Sequence, residues 1–183
     1  MIRDQETLNH LIDLIDRFVR ERLVPREKEL EETGKLPDDI LAEMKELGLF
    51  GLTIPEQYGG LGLTMEEEIL IAFSLGRTSP AFRSVMGTNN GIGSAAVVFN
   101  GTKEQKQKYL PKYASGEWIS CFCLTEPEAG SDAAALKTSA VRDGDCYILN
   151  GTKRYITNAK VADTFNVMAR TNPSIKGARG ISS

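Results

Sequence analysis

Residues 118–132 read Trp118-Ile119-Ser120-Cys121-Phe122-Cys123-Leu124-Thr125-Glu126-Pro127-Glu128-Ala129-Gly130-Ser131-Asp132. The chain changes character here. Upstream, apolar residues recur every three or four positions, the period of a helix. Downstream they gather in short runs of strand length. Ile119 to Leu124 is the first such run, and a loop follows it. Gly130 allows an unusual backbone angle or a close ligand approach. Ser131 adds a hydroxyl, and successive N–H groups in such a turn form an anion-binding concavity. From these residues alone two readings stay open: a loop that holds a phosphate or cofactor, and a well-capped structural turn.

Upstream of Trp118 the sequence predicts helices. Leu8, Leu11, Ile12, Ile15, Phe18, Val19 and Leu23 share one helical face, and Pro25 should end or kink that helix. A second helix is expected over 37–47, with Pro37 as its first residue and Gly48 as its stop. Pro55-Glu56-Gln57-Tyr58-Gly59-Gly60-Leu61-Gly62 reads as a loop. Thr64-Met65-Glu66-Glu67 is a capping box that opens a helix from 65 to about 76. Residues 80–100 read as one further helix lined with small residues (Gly87, Gly91, Gly93, Ser94, Ala95 and Ala96), which fits either close helix packing or a bound ligand. Thr102-Lys103-Glu104-Gln105 is a second capping box, opening a short helix that should end near Tyr109 and Pro111. Lys103, Lys106, Lys108 and Lys112 read as its solvated face, and Glu66-Glu67-Glu68 as an acidic first turn suited to the helix dipole.

Downstream, the runs 137–142 and 146–149 flank Asp143-Gly144-Asp145 and predict a hairpin. Asn150-Gly151 is a further turn leading into 152–157. Residues 164–170 predict another strand, 172–180 a loop, and Ile181-Ser182-Ser183 the first residues of a strand. The expected fold class is α+β and multi-domain. An all-α helical bundle covers residues 1–117, and a truncated antiparallel β domain covers 118–183. A sheet lacking strands exposes its edges, so the sequence reads as a fragment.

Composition excludes several classes. The chain has 183 residues, 41% apolar and 26% charged, with a net charge of −3. No run approaches the ~18 apolar residues of a membrane span. Met1-Ile2-Arg3-Asp4-Gln5 lacks the apolar stretch of a secretory signal, so a cytoplasmic location is the default expectation. Residues 1–50 carry 8 basic and 13 acidic side chains, whereas 101–183 carry 12 and 8. The second part tolerates an anionic ligand, but the imbalance is too small to argue for nucleic acid. The three cysteines, Cys121, Cys123 and Cys146, lack zinc-site spacing and read as thiols packed in strands, and the single histidine, His10, as a structural or surface residue. No metal site is expected.

Residues 123–132 resemble the N-terminal signature of the acyl-CoA dehydrogenase family. Other stretches resemble the family in the same order: Leu47 to Gly51, Pro55 to Gly60, Val98 to Pro111, and Gly151-Thr152-Lys153-Arg154-Tyr155-Ile156-Thr157-Asn158-Ala159. The resemblance covers nearly the whole chain.

It implies FAD as cofactor. Phe122, Cys123, Leu124, Thr125, Gly130 and Ser131 would lie along the flavin, with Thr125 bonded to its pyrimidine side. Ser131 would reach the pyrophosphate and lie close to the bound acyl-CoA. Tyr155, Ile156 and Thr157 would pack beside the ring, with Thr157 near N5 and O4. Many members carry Trp where this chain has Tyr155, which keeps an aromatic face but makes it smaller. The implied reaction oxidises acyl-CoA to 2-enoyl-CoA, an α-proton passing to a carboxylate and a β-hydride to the flavin. The family's base is a glutamate in a C-terminal helical domain, expected beyond residue 183, so no catalytic residue is assigned here. Glu126, Glu128 and Asp132 read as structural members of the loop. The small residues of 86–99, where the family builds its pocket floor, would leave room for a long or branched acyl chain.

Implied partners are acyl-CoA, an electron-transfer flavoprotein or similar acceptor, and further copies in a homodimer or homotetramer. The implied location is the mitochondrial matrix if the source is eukaryotic. Two other classes remain. One is an acyl-CoA oxidase or flavin monooxygenase on the same scaffold. The other is a non-catalytic module that binds a partner.

Overall fold

Leu8, Ile15 and Phe18 are the buried positions of α1 (Gln5–Phe18), as their spacing requires. The computed structural model describes residues 5–183, so most of the Met1 to Gln5 stretch read for a secretory signal lies outside the described residues. After α1 the chain stays helical but changes pitch. A π-turn covers Val19–Leu23, a 3₁₀ turn carries Pro25, and α2 (Glu27–Thr33) follows. The proline therefore sits where the helix type changes and does not end the helical run. Next come α3 (Asp38–Glu46), α4 (Met65–Leu75), α5 (Pro80–Asn90), α6 (Ile92–Asn100) and α7 (Lys103–Ala114). Pro37 caps α3 from outside rather than opening it. Both capping boxes are closed: Thr64 N–H donates to Glu67 Oε2 at 2.7 Å, and Thr102 N–H to Gln105 Oε1 at 2.8 Å.

Two helical expectations are corrected. Residues 80–100 form two helices, because Gly91 leaves helical geometry (φ −123°, ψ −117°). Asn90, the residue before the break, donates from Nδ2 to Leu49 O at 2.6 Å and anchors the loop that begins there. Helix α7 runs through Pro111 instead of ending at it. An interior proline costs roughly 3 kcal/mol. Leu110, Tyr113 and Ala114 offset it by burying against Ile54, and the last two lie beyond the proline.

The chain divides into two compact units between Ile119 and Ser120. The first holds the main core, in which Ile15, Leu23, Ile40, Met44, Phe50, Ile71, Leu75 and Phe82 are sealed from water. Gly60 shows how closely it is packed. A Cβ there would lie 2.0 Å from Ile54 O, inside a loop closed by the bonds Leu61 N–H to Gly51 O and Gly62 N–H to Ile54 O.

The second unit is β, as expected, but its pairing is mixed and not wholly antiparallel. Strand β1 (Ser120–Cys123) pairs in parallel with β4 (Thr164–Val167). The long intervening stretch supplies the crossover that parallel neighbours need. A second sheet has the order β3-β2-β5-β6. Its antiparallel hairpin joins β2 (Ser139–Asp143) to β3 (Cys146–Asn150), turning at Gly144 with φ 59°. The short β5 (Ala169–Arg170) continues it in parallel, and β6 (Ile181–Ser182) closes it. Residues 152–157 form no strand. Tyr155 takes φ 57°, which ends any extended run, and side-chain and backbone bonds tie Lys153 and Arg154 to the loop after β1.

Candidate functional site

Two irregular segments meet in the second unit: the loop that leaves β1, residues 124–138, and the stretch after β3, residues 151–158. Arg154 N–H donates to Thr125 O at 2.8 Å, so the segments run side by side at that point. Gly151 makes the approach possible, since a Cβ there would lie 2.3 Å from Thr138 Oγ1 and 2.7 Å from Thr138 Cα.

The strongest link is a buried ion pair. Lys153 Nζ lies 2.9 Å from Glu126 Oε1 and 3.0 Å from Leu124 O. Both side chains are almost fully covered, at 11% and 7% exposure. The Glu126 carboxylate also accepts from Lys137 N–H at 2.6 Å and Thr138 N–H at 2.9 Å. Burial pushes its pKa up, but the bonds from Lys153 and from the 137–138 backbone outweigh burial and hold it at about 2. Glu126 is thus ionised at neutral pH with its lone pairs engaged, consistent with a structural role. Glu128 pairs on the surface with Lys137, which draws its pKa down.

Between these anchors the loop doubles back through a bridge of Glu126 and Ala129. Gly130 and Ser131 are exposed, and their backbone N–H groups make no hydrogen bond among the described residues. Gly130 does not take the left-handed conformation, and a Cβ on it would meet nothing within 4 Å. The expected freedom is therefore open space rather than an unusual backbone angle. Beyond Asp132 a 3₁₀ turn (Ala133–Ala135) is held by Arg170, which donates to Ala134 O at 2.9 Å and Leu136 O at 3.2 Å. The same guanidinium reaches Ile175 O and Gly177 O, so one residue orders two loops.

The other candidates fall on both sides of this seam. Cys123 is buried, while Phe122, Leu124, Thr125 and Ile156 are half-buried. Tyr155 is 78% exposed, with the Arg154 guanidinium 4.5 Å from its ring centroid. Thr157 is exposed and opens a turn in which Asn158 also takes positive φ, 66°. The hydroxyls of Thr125 and Thr157 have no partner among the described residues. The backbone contact brings Thr125 next to the segment carrying Tyr155, Ile156 and Thr157. Gly130 and Ser131 lie midway along the same loop.

Cys121 and Cys123 are buried thiols in β1, their sulfurs 3.6 Å apart. Burial, then the hydrogen bond to Cys123, pushes Cys121 up to about 12, which keeps it protonated. Cys146 is in a strand but exposed, a correction to the expectation that all three pack inside. No described group of His, Cys, Asp or Glu has the makings of a metal site. Lys153 and Arg170 had no role from sequence. Neither stands out from the solvated lysines and arginines around it until the fold shows the lone pairs they meet.

Residues 5–117 match the model of the acyl-CoA dehydrogenase N-terminal domain, and residues 121–183 match that of the acyl-CoA dehydrogenase middle domain. The chain belongs to the acyl-CoA dehydrogenase family. An acyl-CoA dehydrogenase of Bacillus subtilis (strain 168) is 38% identical over 90% of this chain and 43% of its own length. The very long-chain specific mitochondrial acyl-CoA dehydrogenase of Macaca fascicularis is 41% identical over 91% of this chain and 25% of its own. The chain thus spans less than half the length of these relatives.

Solved structures agree. An acyl-CoA dehydrogenase from Geobacillus kaustophilus superposes with a TM-score of 0.89 at 35% identity, over 99% of this chain and 48% of that one. One from Bacillus anthracis complexed with FAD gives 0.83 at 37%, over 92% and 29%. A chain in a structure described as an electron transferring flavoprotein of Acidaminococcus fermentans gives 0.90 at 37%, over 100% and 48%. No described helix is long and apolar enough to cross a membrane.

Proposed function

We propose that this chain is the N-terminal and middle part of an FAD-dependent acyl-CoA dehydrogenase that oxidises acyl-CoA to 2-enoyl-CoA. The observation that carries the reading is the seam at Thr125 and Arg154. It brings an unpartnered Thr125 hydroxyl beside a segment that bears an exposed aromatic ring and the unpartnered Thr157 hydroxyl. The donor set fits a flavin dinucleotide. Thr125 and Thr157 supply hydroxyl donors for the polar edge of a ring, and Tyr155 supplies a face. Phe122, Cys123, Leu124 and Ile156 supply apolar surface. The free N–H groups of Gly130 and Ser131 suit a pyrophosphate. The relative from Bacillus anthracis complexed with FAD supports the same cofactor.

FAD, when bound, supplies the hydride acceptor. The chain's own part is to hold and orient it. Fixed donors at the pyrimidine edge favour a ring that gains charge on reduction. Ser131 additionally lies on the acyl-CoA side. The α-proton needs a base, and Glu126 is unsuited to it with its lone pairs engaged. We place the base outside residues 1–183. In the same reading, residues 1–117 are the α-helical domain and 118–183 part of the middle β domain. The partners are acyl-CoA, an electron-transfer flavoprotein and further copies of the chain, a dimer or tetramer. The location is cytoplasmic in a bacterium and the mitochondrial matrix in a eukaryote; the name of the Macaca fascicularis relative, which reads mitochondrial, is in keeping with the second.

The test is an acyl-CoA panel on the protein from the complete reading frame, with a dye acceptor and with oxygen as alternatives. Enoyl-CoA formation with the dye, and little with oxygen, is the expected result. Efficient peroxide formation would point to an oxidase, and no turnover of any acyl-CoA would overturn the reading.

A further inference from the structure

Two segments that the proposed function assigns to one flavin are joined by the Arg154–Thr125 backbone bond and by the Glu126–Lys153 pair. Lys153 precedes Tyr155 by two residues and Glu126 follows Thr125 by one. Neither side chain is exposed enough to meet a ligand freely. Yet each sits next to residues that are. Lys153 spends a second bond on Leu124 O, the carbonyl before Thr125. Glu126 spends its remaining capacity on the 137–138 backbone, where the loop ends. One ion pair thus touches the start of the loop, its end and the segment opposite.

We propose that Glu126 and Lys153 are positioning residues that set the separation of Thr125 from Tyr155 and Thr157, so that both edges engage the same flavin. This rests on the proposed function above. The chemistry argues for positioning over stability alone. A buried ion pair gains little over apolar packing, because desolvation offsets the attraction. Its geometry is nonetheless narrow, since charge-assisted bonds are short and directional. Hydroxyls aimed at a ring edge must be held within a fraction of an ångström to contribute. The stretch after Lys153 has two local supports for its shape, positive φ at Tyr155 and at Asn158, but neither ties it to the opposite loop.

The test uses the protein from the complete reading frame, with FAD as the probe. Wild type, Lys153→Met, Lys153→Arg and Thr157→Ala are compared for FAD dissociation constant and flavin midpoint potential, with Tm measured in parallel. Both Lys153 variants are then combined with Thr157→Ala. Lys153→Met is expected to weaken FAD binding roughly tenfold or more, about the worth of one charge-assisted bond, and Lys153→Arg to recover part of it. The effect of Thr157→Ala should shrink in the Lys153→Met background, because a misplaced hydroxyl has less to lose. If Lys153→Met does not fold, the same comparison is made in Lys153→Arg, where the added length displaces the segment.

A lowered Tm with unchanged FAD affinity and potential, or strictly additive double variants, would overturn the positioning role while leaving the FAD reading intact. Wild-type protein that takes up no FAD would instead overturn the functional reading beneath it.

Discussion

Glu126 sits at 7% exposure with its carboxylate bound by Lys153 and two backbone N–H groups. Its pKa is about 2, against an ordinary value of 4.5. Burial alone would have raised it, so the net depression measures how firmly the ionised form is held. A depressed carboxylate contributes stability that is fully present above its unfolded pKa and is lost as pH falls through its folded one. Stability should therefore decline between about pH 4.5 and pH 2 by up to about 3 kcal/mol from this group. Urea midpoints of wild type and Glu126→Gln across that range check it: the variant starts lower and its decline is shallower. Parallel curves would assign the acid sensitivity to other carboxylates. At Thr157 the expected effect is on the cofactor instead. Thr157→Ala should weaken FAD retention by roughly 0.5–1.5 kcal/mol, or shift the flavin potential, with little change in Tm. Equilibrium dialysis and a redox titration of the complete protein decide it, and an unchanged affinity and potential would remove Thr157 from the site.

At the scale of elements, the break between α5 and α6 carries more than a change of direction. Asn90 is buried and spends Nδ2 on Leu49 O and on Met86 O, while Thr53 N–H donates to its Oδ1. Asn89, equally buried, donates to Tyr113 O and Trp118 O. The pair ties α5 to the loop before α4 and to the end of α7. Asn90→Ala would leave the buried Leu49 O and the half-buried Thr53 N–H without their partner, and should cost about 1–3 kcal/mol. A loss under about 0.5 kcal/mol in urea unfolding would mean water reaches the site. This break was not legible in the sequence, because small residues through 87–96 keep a helical period on both sides of Gly91. The end of α7 misled in the opposite sense, since the apolar Leu110, Tyr113 and Ala114 outweigh a proline whose effect is local. Where the signal was local chemistry, as in the boxes at Thr64 and Thr102 and the turn at Gly144, element and position agreed with the structure. In the proposed site, Gly130 and Ser131 were singled out by residue type and Thr125 by the family resemblance, and the fold sets Thr125 against Arg154. Lys153 was not, because its meaning comes from a carboxylate 27 positions away that only the fold brings near.

For the molecule as a whole, the decisive quantity is the apolar surface that residues 1–183 leave uncovered. On α4, Met65, Ile69 and Phe73 lie one turn apart along one side and are exposed. On α6, Ile92 and Phe99 repeat the pattern two turns apart. In the β unit, Val141, Tyr147, Ile148 and Leu149 leave both faces of the β2–β3 hairpin open, and Phe165 is exposed on β4. Scattered exposed apolar residues are ordinary, but stripes along an element mark surfaces that another body covers. The strands β3 and β6 also end their sheet with unpaired edges, which favour pairing between chains. Catalysis meets a parallel shortage. Of the carboxylates in the signature loop, Glu126 is locked in its ionised form and Glu128 is drawn to Lys137. A missing positioned base alone costs about 10²–10⁴ in rate. We therefore expect the isolated polypeptide 1–183 to self-associate, to bind FAD weakly and to reduce no dye with any acyl-CoA. Light scattering after size exclusion, FAD fluorescence titration and a dye-reduction assay test the three parts separately. A monomer that loads FAD and turns over acyl-CoA would show that a carboxylate within these residues is the base, and Asp132 would be the first to replace.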